Sequence, residues 1–269
     1  VEHRRESVGM SHEISRFRHE LRRRTLTVAR IEDLNPGMRR VHFASPDIDG
    51  FPSVGFDDHV KMFIPGTGTP GDGLPAAGPP GEGGKPVMRD FTPRRFDVAG
   101  GTIVIDYAMH HAGPAVDWAR NAKIGDLLEI GGPRGSAVIT DDFDWYWLIG
   151  DESALAAIGR RTEELRVGVP VTSIVLVDSE AEAQSFETRA DLTATWVLRE
   201  GGDDVATLCA AVASVELPAG DGFIWIAAEA KVARAVRRAV EARGHPSNWL
   251  KAAGYWQAGD PGVHIRIED

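Results

Sequence analysis

Trp145-Tyr146-Trp147-Leu148-Ile149-Gly150-Asp151-Glu152-Ser153-Ala154 is the stretch on which the fold turns. Five consecutive apolar residues read as a strand, and the small-residue turn after them opens a helical stretch over 153–166. Toward the C-terminus come a strand over 172–177, an amphipathic helix over 203–215, a strand over 223–228 and a basic helix over 231–243. Strands alternating with helices of 12 to 15 residues predict a parallel sheet with helices on both faces.

Upstream the rhythm is different. Residues 26–31, 38–44, 59–64, 88–96 and 101–107 are short runs rich in Val, Ile, Phe and Thr, bounded by Gly, Pro or Asp. Such runs predict a small β-barrel or sandwich. Over 65–86 almost every second residue is Gly or Pro, which reads as an insertion between two barrel strands. The expected fold class is therefore β plus α/β: a flexible leader over 1–24, a β-barrel domain over 25–140 and an α/β domain over 141–269.

Acidic residues outnumber basic ones by 40 to 30, and a net charge of −10 repels polyanions, so nucleic acid is excluded as a partner of the body of the protein. The single cysteine, Cys209, excludes a disulfide framework, a zinc cluster and a cysteine-ligated iron–sulfur centre within the chain. A reducing, cytoplasmic compartment fits. Nine scattered histidines without ligand spacing predict no metal site. No apolar run approaches the roughly 20 residues of a membrane span. Residues 1–24 hold seven Arg against four Glu and read as a solvated chain end.

Two glycine patterns are coincidences. Gly66-Thr67-Gly68-Thr69-Pro70-Gly71 spells G-x-G-x-x-G but no helix follows it to cradle a phosphate. Gly83-Gly84-Lys85 has Pro79 where a phosphate-binding loop needs its first glycine and Pro86 where it needs Ser or Thr. Gly150-Asp151-Glu152-Ser153-Ala154 is better placed, after a strand and before a helix; it reads either as an anion-binding turn or as an ordinary turn capped by Asp151 or Ser153. Gly131-Gly132-Pro133-Arg134-Gly135-Ser136 is a tight turn joining the two halves.

Arg89-Asp90-Phe91-Thr92-Pro93-Arg94 can present a charge and a hydroxyl to a diphosphate or ring system while the aromatic packs on a planar ligand. Asp106-Tyr107-Ala108-Met109-His110-His111-Ala112-Gly113-Pro114-Ala115 ends a strand and starts a helix at Pro114, with small residues leaving the helix amides open to an anion.

Taken in order, RDFTPR, DYAMHHAGPAVDWA, GDLLEIGGPRGS, GDESALAAIGRR and AAEAKVARAVRRAVEARG followed by GYWQAG resemble the siderophore-interacting proteins, FAD-dependent ferric-siderophore reductases of the ferredoxin-reductase superfamily. The resemblance implies an N-terminal FAD-binding β-barrel followed by a C-terminal NAD(P)H-binding α/β domain. It places Arg89, Asp90, Phe91 and Thr92 in the flavin motif, with Phe91 where a tyrosine is usual. It places Asp106, Tyr107, His110, Gly113, Ala115 and Trp118 on the stretch that holds the FAD diphosphate and adenine side, with His111 where a glycine is more usual. Gly132, Arg134 and Ser136 fall at the flavin-to-nucleotide junction, and Gly150, Asp151, Glu152 and Ala154 at the nicotinamide-nucleotide turn. Lys61 matches a substrate-pocket lysine, and Arg134 and Lys251 are expected to complete a cationic rim for an anionic ferric siderophore. Gln257 stands where relatives often carry a base.

The implied cofactors are FAD and NADH or NADPH. The acidic run Asp178, Glu180 and Glu182 leans toward NADH, because a carboxylate there repels a 2′-phosphate. The implied reaction is flavin-mediated and needs no catalytic side chain, and the chain is expected to be a monomer. The alternatives are a flavin or ferredoxin-type NAD(P)H reductase and a siderophore-binding protein without turnover.

Overall fold

The structure, a computed structural model, describes residues 12–65, 86–110, 113–199, 201–259 and 265–266. Both coincidental glycine patterns and His111 lie outside the described residues. The N-terminal half contains β1 (Ile14–Arg18), β2 (Arg23–Asn35), β3 (Met38–Ala44), β4 (Val60–Ile64), β5 (Val87–Phe91) and β6 (Pro93–Asp97). It continues with β7 (Thr102–Ala108), helix α1 (Pro114–Asn121), β8 (Leu127–Gly131) and β9 (Gly135–Ile139).

Seven of these strands form one antiparallel sheet in the order β5-β4-β8-β2-β3-β7-β6. Its two edge strands, β5 and β6, are joined by Thr92 alone. One residue spans about 3.5 Å, so the sheet must curl until its edges meet at Thr92. The run expected as one strand over 88–96 is thus two strands broken at a corner. Pro93, which has no amide to donate, sits where an edge strand tolerates it. The curled sheet encloses Leu26, Val41, Phe43, Met62, Ile105, Tyr107 and Ile130, all fully buried.

The C-terminal half contains β10 (Trp145–Asp151), α2 (Leu155–Glu164), β11 (Pro170–Val177), β12 (Asp191–Leu198) and α3 (Asp204–Ser214). It ends with β13 (Gly222–Glu229), α4 (Ala230–Ala242), β14 (Leu250–Trp256) and β15 (Ile265–Arg266). The sheet order is β12-β11-β10-β13-β14-β15, parallel throughout except for β15. Every residue of β10 and β13 is buried, because helices cover both faces of the central strands; hence their unbroken apolar sequence. The strands β12 and β14 escape a periodicity reading: β12 is a half-exposed edge of mixed polarity, and β14 interleaves Lys251 and Gly254 with small residues.

The leader expected over 1–24 is not a loose end in its described part. β1 pairs with β9 from Ile14↔Ile139 to Arg18↔Gly135, and β2 begins at Arg23. Gly135 permits that approach, since a Cβ there would lie 2.6 Å from the Phe17 carbonyl oxygen. His12 stacks on Phe143 with ring centroids 4.0 Å apart and reaches Asp142 and Asp221 at 3.1 and 3.2 Å.

Helix α2 binds the two halves together. Arg160 donates to the Ser53 hydroxyl and carbonyl at 2.8 and 3.0 Å and to the Pro93 carbonyl at 3.3 Å. Arg94 reaches back from β6 to Glu163 at 2.8 and 2.5 Å. Gly159 makes room for it: a Cβ there would stand 2.8 Å from an Arg94 nitrogen.

Candidate functional site

At the barrel corner, Arg89 is half-buried, and among the described residues its guanidinium hydrogen-bonds only the adjacent Met88 carbonyl, at 2.9 Å. Desolvation lowers its pKa from the usual arginine value. A cation removed from water without a carboxylate partner favours an anionic ligand. Phe91 leans on Tyr107 at 4.7 Å, and Tyr107 lies 5.9 Å from Trp118 of α1, so corner and helix share one aromatic layer. Thr92 is buried beside the Tyr255 hydroxyl of β14, bringing the corner against the α/β half.

Helix N-termini decide where a diphosphate can sit. The turn that opens at Glu152 is capped by Asp151, which accepts from the Ser153 amide at 3.0 Å. α3 is capped by Asp203, and α4 by Glu229, which accepts from the amides of Lys231 and Val232. α1, like α2 behind its capped turn, starts without a side-chain cap, and its N-cap is Gly113, with Pro114 following. A Cβ on Gly113 would meet nothing within 4 Å. The free amides of α1, the lone Arg89 and the aromatic layer between them fit a flavin dinucleotide.

At 150–154 the turn carries the Asp151 cap that one of the two readings expects. Asp151 also accepts from the Glu229 amide at 2.8 Å and the Trp256 indole at 2.9 Å. Burial, reinforced by Glu152, raises its pKa to about 6. Glu152, 1% exposed, pairs with Arg199 at 2.6 Å. Gly150 and Ala154 serve close packing, since a Cβ on Gly150 would lie 2.3 Å from the Ala227 carbonyl oxygen. Asp151 and Glu152 therefore spend their carboxylates on the protein. The turn still lies at the carboxyl edge of the sheet beside the β10–β13 switch point, the place where doubly wound sheets receive a nucleotide.

Several other expected ligands have partners within the protein. Asp106 is buried and held bidentately by Arg40 at 2.7 and 2.8 Å, with Arg94 at 3.9 Å. Tyr107 is fully buried with its hydroxyl on the Met62 sulfur, and burial pushes its pKa well up. Ala115 lies on the core face of α1, and Trp118 stacks over Phe43 at 6.1 Å. The His110 ring reaches Asp178 at 3.2 Å and Glu182 at 3.1 Å across the junction of the halves. Gly37 has to be glycine to admit that ring: a Cβ would stand 2.1 Å from Nε2. Arg199 takes Asp178 as well, at 2.7 Å, so two of the three acids expected to repel a 2′-phosphate are already engaged. His110, Asp178 and Glu182 are close enough to share a cation, a grouping of side chains from two halves that no sequence spacing announces.

Beside the corner, an open cleft of about 1380 Å³ separates the halves. Arg16, Arg18, Arg134, Arg237 and Lys251 line it with Asp57, Asp58 and Tyr255. Arg134 and Lys251 thus meet as expected. Lys61 is not among the lining residues; it is bound to Asp90 at 2.7 and 2.9 Å, which also occupies that flavin-motif carboxylate. Lys251 pairs with Asp57 at 2.5 Å, and Asp57 also accepts from the Trp225 indole at 3.0 Å. Ser136 is committed to Asp58 at 2.6 Å and to the His19 ring at 2.7 Å. Burial raises the Asp58 carboxyl, against the hydrogen bonds from Ser136, Gly55 and Ser53. Gly132 has φ +95°, the left-handed region that only glycine enters freely, and its carbonyl accepts from Arg24 at 3.3 Å. Of the cleft residues that the sequence did not single out, Arg16, Arg18 and His19 lie in the leader expected over 1–24. The available signal was the alternation Ile14-Ser15-Arg16-Phe17-Arg18.

Comparison with known proteins finds matches to both halves of the chain. The siderophore-interacting FAD-binding domain matches residues 27–137, and the siderophore-interacting protein domain matches residues 143–259. The chain belongs to the siderophore-interacting protein family. An Escherichia coli relative, the NADPH-dependent ferric-chelate reductase, is 36% identical over 255 residues, covering 90% of this chain and 96% of the relative. A siderophore utilization protein from T. fusca superposes with TM-score 0.82 at 33% identity, covering 93% of this chain and 98% of that one. The siderophore-interacting protein SipS from Aeromonas hydrophila superposes with TM-score 0.72 at 28% identity, covering 89% and 93%. Like them, this family member pairs a flavin-binding antiparallel sheet with a parallel α/β sheet, and it is a flavin oxidoreductase. No helix among its described residues is long and apolar enough to cross a membrane.

Proposed function

We propose that the protein is a ferric-siderophore reductase that takes electrons from NADH or NADPH through FAD, reduces chelated Fe(III) to Fe(II) and so releases the iron. It would act in the cytoplasm as a monomer, with the flavin domain over 25–140 and the nucleotide domain over 141–269. The observation that carries the reading is the cationic cleft beside the flavin corner of a protein whose net charge is −10. Such a charge repels anions at long range, so a positive cleft selects where an anionic chelate can approach.

Bound FAD supplies the exchange between a two-electron hydride donor and a one-electron acceptor, so that one NAD(P)H serves two ferric ions. The chain's own groups position and shield. Arg89 and the α1 amides hold the diphosphate, and Phe91 packs on the ring. Thr92 offers its hydroxyl at the corner, Tyr255 closes the site from the α/β side, and Arg134 faces the incoming chelate.

The test is anaerobic. The purified, FAD-loaded protein should bleach when NADH or NADPH is added, and a ferric siderophore should restore the yellow colour while a ferrous-specific dye develops. The ratio of kcat/KM for the two dinucleotides then reports the preferred donor. Rapid reoxidation by ferredoxin or free flavin but not by ferric chelates would make it a carrier reductase; chelate binding without bleaching would make it a binding protein.

A further inference from the structure

We propose that Arg16 and Arg18 of the N-terminal strand form, with Arg134, a second anion-binding wall of the cleft that selects highly anionic ferric chelates over neutral ones. The inference rests on the reductase reading and assigns a substrate preference to that same site.

Three observations converge on it. First, the strand is built in place. β1 is laid against β9 over five residue pairs, and beyond it the His19 amide donates to the Arg134 carbonyl at 3.0 Å. The imidazole of His19 is held by Ser136 at 2.7 Å, and the start of the strand is anchored by His12. Second, Arg16 and Arg18 alternate along the strand, which puts both side chains on one face about 6.6 Å apart along the chain, and both line the cleft. Arg18 pairs in register with Gly135, the neighbour of Arg134. Third, none of the three guanidiniums has a carboxylate partner among the described residues, whereas the cleft cations Arg237 and Lys251 are paired with Glu241 and Asp57. Three uncompensated arginines on one rim present planar donor forks to the oxygens of an anion.

The anchor of the strand that carries the wall lies away from the dinucleotide. A nucleotide meets this sheet at its carboxyl edge, where β10 and β13 end at Asp151 and Glu229. β1 starts at the opposite edge, where His12 touches Asp142 and Asp221 just ahead of β10 and β13. A chelate with carboxylate or catecholate arms carries several negative charges, and a trihydroxamate chelate of Fe(III) carries none, so the two classes differ in the property this wall reads.

Redox-inert gallium(III) complexes keep the ferric charge and separate binding from turnover. Titration calorimetry of the FAD-loaded protein with gallium tris-catecholate and with neutral gallium tris-acetohydroxamate should show the R16Q/R18Q variant binding the anionic complex about tenfold more weakly. The ratio of the two dissociation constants should fall by the same factor, and R16K/R18K should recover most of it. Raising the salt should shrink the difference between wild type and R16Q/R18Q. Equal affinity of wild type and R16Q/R18Q for the anionic complex would overturn the proposal, as would a loss confined to NADPH binding. If wild type binds the anionic complex in the arginine-dependent way but never reduces its ferric counterpart, the reductase reading falls and the wall stands. If it binds neither complex, both fall.

Discussion

Arg94 of β6 and Glu163 of α2 join the two halves through two hydrogen bonds, of 2.8 and 2.5 Å, with the Arg94 side chain only 3% exposed. Removing one partner of a buried pair strands the other charge. Glu163→Gln should cost about 3 kcal/mol in urea unfolding. Burial alone would raise the Glu163 carboxyl, but Arg94 and Arg95 outweigh it and hold the pKa below its usual 4.5. The bridge therefore contributes stability that is present above that value and lost as pH falls through the lower folded one. Unfolding midpoints of wild type and Glu163→Gln should converge in acid; a constant gap would remove the bridge from the interface energetics.

The uncapped start of α1 yields a second expectation. Gly113→Asp finds room, supplies the missing cap and adds a negative charge at the amides assigned to the diphosphate. It should raise the stability of the cofactor-free protein by a few tenths of a kcal/mol and weaken FAD binding by about tenfold. Gly113→Ala, which adds neither cap nor charge, should keep FAD affinity within about threefold. Flavin fluorescence titration reads both, and unchanged affinity in Gly113→Asp would place the diphosphate elsewhere.

Arg89 has a cation's desolvation cost and no acidic partner among the described residues. Arg89→Ala should lose about 1.5 to 3 kcal/mol of FAD binding, a roughly tenfold to hundredfold weaker complex, with little change in the melting temperature of the cofactor-free protein. Recovery of Arg89→Ala fully loaded with flavin after dialysis would contradict the assignment.

The docking of β1 should depend on pH. Burial pulls the His12 pKa down, but the carboxylates of Asp142 and Asp221 prevail and raise it above its usual 6.5. Its contribution is complete below 6.5 and disappears as pH rises through the elevated folded value. Limited proteolysis near the N-terminus should quicken as pH rises above about 6.5, and His12→Ala should be cut at the faster rate throughout. A pH-independent cleavage rate in wild type would exclude His12 as the anchor.

Much was legible in the sequence because it is written locally. The buried run at 145–149, the helices near α2, α3 and α4 and the small-residue turns announce themselves through period and composition, and ordered motifs identify the family. The split of 88–96 at Thr92 was not legible, since a corner in a curling sheet leaves the alternation of side chains almost untouched.

Side-chain roles were decided only by the tertiary structure. The sequence by itself determined an antiparallel β half followed by a parallel α/β half, a resemblance to one family that includes Arg89–Thr92, and an overall negative charge. Folding decided which of these groups are spent on the protein: Asp106 on Arg40, His110 on Asp178 and Glu182, Glu152 on Arg199, and Lys61 on Asp90. It also turned a basic chain end into one wall of the cleft by pairing β1 with β9, more than a hundred residues away. The reason is range: helix and strand periods arise from neighbours along the chain, whereas the partner of a charge is whichever opposite charge the packed chain brings within about 4 Å.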